Sequence, residues 1–189
     1  NLIISHIIFD SAMPAIALYF ESSMHKVGMS TSEITKALFM VPVVYATITF
    51  ISGFIADKLG RKVTVTGFSI TCIIGYSLFV AGILCGWNPY LIGFFAGLYQ
   101  GSYWIGRDYM NVMMTEKVPT DIRASVVGAE GLLVIIGLAV GYLTTIIGMT
   151  AMPIWWACLI VSIPAVSVAA IIFALKVKET KGANLDEIK

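Results

Sequence analysis

Four ionisable residues, Asp10, Arg107, Asp108 and Glu130, stand inside long apolar stretches of the sequence. A charge at the centre of a helix in hydrocarbon costs roughly 2.5–3.5 kcal/mol even on the most lenient insertion scale, so each of these groups needs a partner, a proton or a water-filled cavity. Arg107 precedes Thr115 by eight residues and Glu130 follows Arg123 by seven. At a rise of about 1.5 Å per residue, both sit roughly 10–12 Å in from the same ends of adjacent helices. Arg107 and Glu130 could pair there, either as a lock between two helices or as part of a polar path through the bundle.

Gln100, Tyr103, Trp104, Arg107 and Asn111 fall at i, i+3, i+4, i+7 and i+11, a polar and aromatic stripe down one helical face. A water-accessible cavity accounts for such a stripe better than a lipid-facing position does. Arg107 offers a planar fork for a carboxylate or phosphate, and Trp104 or Tyr103 a surface for stacking. These five residues are the substrate-binding candidates, with an anion or a polyol as the ligand they suit. Asp10 lies near the middle of the first apolar run, one turn after His6. A carboxylate there that neutralises on protonation could couple a proton gradient to solute movement; alternatively it bonds to a neighbouring helix. Glu130 and Asp108 are candidates for the same role. His6 falls close to the presumed inner end and reads as solvated.

These residues must be positioned by a membrane bundle. The 189 residues are 58% hydrophobic and 12% charged, against about 25% charged in soluble domains. A net charge of +1, with dispersed basic residues, excludes a nucleic-acid surface. Cys72, Cys85 and Cys158 form no paired pattern suited to metal or redox chemistry and read as buried small hydrophobes. No cofactor is implied. An intramembrane enzyme is disfavoured: there is no HExxH or GxSxG motif, and His6 and His25 fall near opposite membrane faces. A non-transporting scaffold or receptor would explain glycine packing but not the polar stripe. Asn1 is not an initiator methionine, and the first apolar run lacks the basic flank of a signal peptide, so the chain reads as part of a longer one.

Apolar runs at about 2–20, 34–56, 63–86, 90–114, 123–147 and 152–175 match the roughly 20 residues a bilayer core requires. The expected fold is all-α, with six transmembrane helices and a tail over 176–189. Lys58, Arg61, Lys62, Lys117, Arg123, Lys176, Lys178, Lys181 and Lys189 lie on one side, and only Lys26 and Lys36 on the other. The positive-inside rule makes the richer side, with both chain ends, cytoplasmic. Trp87, Tyr90, Trp155 and Trp156 then mark the outer interface, with the loop 21–33 outside. Gly93, Gly97 and Gly101, and again Gly137 and Gly141, give smooth stripes for close helix approach. Pro14, Pro42 and Pro164 interrupt three spans, as elements of a moving gate or as static kinks.

The stretch Gly53-Phe-Ile-Ala-Asp57-Lys58-Leu-Gly60-Arg61-Lys62 resembles the GxxxDxxGR[RK] signature of the major facilitator superfamily. The loop from Glu116 through Pro119 to Arg123 resembles its ExxPxxxR pattern. Glu179-Thr180-Lys181-Gly182, with Leu185 and Glu187, is similar to the ETKG segment that follows the last helix of sugar porters. The resemblance implies helices seven to twelve of a twelve-helix transporter, with the N-terminal six-helix half elsewhere in the same protein, the lipid bilayer around it and a small-molecule substrate between the halves. It implies a plasma (inner) membrane location and a cytoplasmic gating network of Asp57, Arg61, Glu116 and Arg123. Lys178 stands where the sugar porters carry proline, and the fourth span lacks their GPxPW-like segment. Sugar is therefore one candidate, and Arg107 leans towards an anionic metabolite with proton coupling.

Overall fold

The computed structural model describes residues 1–13 and 19–182. Pro14, Leu185, Glu187 and Lys189 lie outside the described residues. Among the described residues seven helices follow one another: α1 (Leu2–Asp10), α2 (Phe20–Lys26), α3 (Thr31–Leu59), α4 (Arg61–Cys85), α5 (Pro89–Thr115), α6 (Arg123–Met149) and α7 (Ile154–Lys176). Local chemistry sets several boundaries. Ser30 and Glu33 form a capping box at the start of α3, the Ser30 N–H donating to Glu33 Oε2 at 2.8 Å, which satisfies donors that an isolated helix end leaves open. Asn88 Oδ1 accepts from the Tyr90 N–H at 2.9 Å, and Pro89 supplies a first helical residue that needs no hydrogen bond. Gly60 alone turns α3 into α4, at φ +100°, a conformation that disfavours any residue with a Cβ.

α3, α4, α6 and α7 are long and apolar enough to cross a membrane. Their outward faces carry Phe39, Phe50, Phe54, Leu132, Ile147 and Leu175, all more than half exposed, while Ser5, His6, Asp10, Ser52, Ser102, Glu130 and Thr145 are buried. This polarity is the reverse of a water-soluble domain's. Hydroxyls inside the helices fold back on carbonyls one turn earlier, as in Thr64 to Gly60 and Ser69 to Val65, both 2.8 Å, and so avoid stranding a donor in hydrocarbon.

α5 is the hub of one layer, packed along α4 and α3. A Cβ on Gly93 would overlap the Ala37 carbonyl, one on Gly97 would lie 2.8 Å from the Val41 oxygen, and one on Gly101 would lie 2.5 Å from Ile48 Cδ1. The first glycine stripe therefore forms the α5–α3 seam. The second forms the α6–α1 seam, since Cβ atoms at Gly137 and Gly141 would overlap the carbonyls of Ile7 and Ser11. α1 also packs on α7 and touches α5, whereas α5 and α6 barely meet.

Three expectations change. The first apolar run is helical from Leu2 to Asp10, turns at Ser11 and Ala12 and is helical again at Met13, and α2 occupies much of the expected 21–33 loop. α5 is 27 residues long but is not among the four helices apolar enough to be read as a span unaided, because glycines and the polar stripe dilute it. Cys72 and Cys158 are buried but Cys85 is exposed, at the last residue of α4. Pro42 and Pro164 each lie within a single helix, α3 and α7.

Candidate functional site

Asp10 is completely buried, and α5 brings two donors to its carboxylate. Tyr103 on α5 donates its hydroxyl to Asp10 Oδ1 at 2.6 Å, and Arg107, one turn on, donates from Nε to Oδ2 at 3.2 Å. Charge-assisted bonds of this kind are the strong ones, and they give the carboxylate the partners that burial demands. Phe9 stacks on Tyr103 with centroids 5.1 Å apart and planes at 11°. Gly106 leaves the space for it: a Cβ there would lie 2.9 Å from the Phe9 ring. Trp104 lies beneath the guanidinium, 5.5 Å from Arg107 Cζ to the ring centroid, within cation–π range.

His6, one turn before Asp10, is the member the sequence reading places in solvent; its side chain is only 1% exposed. Nδ1 contacts Oε1 of the buried Glu130 on α6, and Nε2 faces Asp10 Oδ2 at 3.7 Å. The i,i+4 spacing of His6 and Asp10 on an apolar helix was the available signal. Arg107 and Glu130 do not pair with each other. α1 lies between α5 and α6, so Arg107 meets Asp10 and Glu130 meets His6.

The other candidates divide. Gln100, Trp104, Arg107 and Asn111 are half-buried along α5 and Tyr103 is fully buried, so the stripe is a continuous face, although among the described residues Gln100 and Asn111 make no side-chain hydrogen bond. Asp108 points elsewhere. It is exposed and lines an open groove of about 250 Å³ between α3 and α5, with Thr49, Ser52 and Tyr109.

A second polar centre lies at the end of the bundle where α3 turns into α4. Arg61 Nε pairs with Glu116 Oε1 at 3.3 Å and reaches Asp57 only at 4.0 Å. Glu179 from the tail sits on the N-terminus of α4, accepting from the N–H groups of Arg61 at 3.1 Å and Lys62 at 2.9 Å. Partial burial works against its charge, but the N–H donors of Lys181, Lys62, Thr180 and Arg61 outweigh that and hold its pKa below the ordinary glutamate value. Gly60 is required here twice over, because a Cβ would lie 2.5 Å from Glu179 Oε2. Thr180 donates to Glu116, and Lys181 Nζ donates to the Lys58 carbonyl at 2.8 Å, a favourable cation at a helix C-terminus. Nearby Lys117 has a lowered pKa through desolvation, with Glu179 opposing the shift and Lys62 adding to it. Arg123, expected in this network, instead donates to the Val118 carbonyl at 3.3 Å. Pro119 is half-buried in the same loop, and Gly53 faces open space.

The tail, the α3–α4 turn and the 116–123 loop thus meet at one end of a helical bundle whose interior holds a buried charge cluster. Comparison with curated proteins returns no match. The family model described as sugar (and other) transporter matches residues 10–189: the chain belongs to this family of the major facilitator superfamily, as an integral membrane transporter of a small molecule.

Proposed function

We propose that the chain is the C-terminal six-helix half of a twelve-helix secondary transporter, in which α5 and the α1–α2 arm also span the bilayer and the two halves rock about a site at the midplane. The substrate is a small polar metabolite, an organic anion or a sugar, and its movement is coupled to protons. The end carrying Arg61, Glu116 and Glu179 faces the cytoplasm of the plasma (inner) membrane, in keeping with the basic residues gathered there, and its contacts break and re-form as the protein alternates.

The observation that carries the reading is Arg107. Its side chain is 27% exposed, and the guanidinium is held on one side by a buried carboxylate and below by Trp104. Among the described residues only its Nε is hydrogen-bonded, which leaves both terminal nitrogens to receive a carboxylate or a pair of hydroxyls. Gln100 and Asn111 extend the polar face to either side, with Tyr103 holding Asp10 in place. Asp10 and Glu130 are the coupling carboxylates of this scheme, with Asp108 in its separate groove as a further candidate.

Thermal stability of the purified full-length protein against sugars, polyols and carboxylates, with wild type beside Arg107→Gln, tests the reading. A ligand at about 100 times its dissociation constant adds roughly 2.7 kcal/mol. Carboxylates are expected to stabilise the wild type alone. Equal stabilisation of both forms by sugars would make Arg107 structural and the ETKG-like tail the better guide to substrate.

A further inference from the structure

Each ring nitrogen of His6 faces a different carboxylate: Nδ1 contacts Glu130, and Nε2 lies 3.7 Å from Asp10 Oδ2. Apart from these approaches, neither nitrogen has a hydrogen-bond partner among the described residues. A neutral imidazole has one N–H and one lone pair, so it can donate to one carboxylate only and must turn its lone pair on the other; the imidazolium donates to both. The charges agree with this geometry. The buried carboxylates of Asp10 and Glu130 and the half-buried Arg107 sum to one negative charge, and a proton on His6 brings the set to zero, which is what a low-dielectric interior favours.

The groups facing His6 from each packed element are few. α6 brings Glu130; α5 brings Arg107 and Tyr103, both bonded to Asp10, and Asp108, which opens to its own groove. α7 carries no charged side chain before Lys176 at its end, so among the described residues no other buried cation stands in for the missing proton.

We propose that His6 is the residue that carries the coupled proton, held as an imidazolium between Glu130 and Asp10. Loss of the proton sets a lone pair against a carboxylate and unties α1 from α6 at the glycine seam. Because Asp10 also holds Arg107, the same event loosens the guanidinium offered to substrate, so proton release and substrate release share one helix. α1 suits such motion, since its helix gives way to a turn at Ser11 and Ala12 before helix resumes at Met13. The inference rests on the transporter reading and adds to it a site for the proton.

The probe is the proton itself. The full-length protein is reconstituted in phosphatidylcholine vesicles, and infrared difference spectra are recorded between about pH 8 and pH 5, the range in which histidines ordinarily charge. The wild type is expected to gain an imidazolium band that His6→Gln lacks and that His25→Gln, a change at an exposed histidine 3.6 Å from Glu21, retains. Should His6→Gln fail to fold, Glu130→Gln serves instead: removing one facing carboxylate is expected to move the midpoint of that band down by about one pH unit, a tenfold loss of proton affinity. A titration unchanged by His6→Gln, or by Glu130→Gln where that variant stands in, overturns the assignment. Proton flux driven by D-glucose or benzoate in the same vesicles separates the two levels. An imidazolium band specific to His6, without proton flux for any transported solute, sinks proton coupling, whereas proton flux with an unchanged His6→Gln spectrum sinks only the role of His6.

Discussion

The two polar centres of this protein are built on opposite plans. At the end of the bundle, Glu179 and Lys181 satisfy backbone groups of α3 and α4, and the side chains stay partly wet: Asp57 is 81% exposed and Arg61 23%. In the interior, Asp10, His6, Glu130, Tyr103 and Arg107 face one another, and all but Arg107 are almost wholly dry. The end network can break one contact at a time at little cost, because water takes up whatever is released. The interior cluster cannot, because removing one partner strands a charge. The proposed alternating-access scheme, with opening at the ends and ligand recognition at the centre, has use for both kinds of chemistry.

The contrast predicts a graded series of variants in the full-length protein, each read by thermal unfolding in detergent. Asp10→Ala leaves Arg107 without its carboxylate and is expected to cost about 3–5 kcal/mol, most of it recovered when both charges are removed together in Asp10→Asn/Arg107→Gln. Gly137→Val pushes against the Ile7 backbone and widens the seam across which His6 meets Glu130; the overpacking is expected to cost about 1–3 kcal/mol.

Glu179→Ala uncaps α4 and should cost only about 0.5–1 kcal/mol, since the site is largely solvated. Its pH dependence is more specific. A carboxyl whose folded pKa is depressed contributes stability in full above its ordinary value of 4.5 and loses it as pH falls through the lowered folded value. Wild type should therefore lose an increment of stability on acidification that Glu179→Ala does not lose. Asp57→Asn, which removes only a 4.0 Å approach to Arg61, is expected to change stability by less than about 0.5 kcal/mol. A cost at Asp57 as large as that at Asp10 would erase the distinction between the two centres.

Much of this contrast can be read from the sequence. Helical spacing alone gathers Gln100, Tyr103, Trp104, Arg107 and Asn111 on one face, and the four-residue glycine repeats mark both seams, because these are local consequences of 3.6 residues per turn. Which charges meet is a matter of which helices are neighbours, and that is not local. Arg107 and Glu130 lie at matching depths on consecutive helices, yet α1, far away in sequence, occupies the space between them. His6 is mistaken for a solvated residue for the same reason: its position near the start of the chain says nothing about the carboxylate that α6 brings to it. The ETKG-like motif identifies the tail, but only the folded turn at Gly60 explains why Glu179 must reach the first N–H groups of α4.

The central claim, that Asp10 and Arg107 belong to the transport path and are not merely a lock between helices, is tested most directly by uptake into proteoliposomes of whichever compound stabilises the wild type. Asp10→Asn, Arg107→Gln and the double variant are compared at equal amounts of folded protein. The account predicts that uptake is lost in all three, including the double variant whose stability has been restored. Uptake by the double variant at the wild-type rate would contradict it and leave the pair as a structural lock.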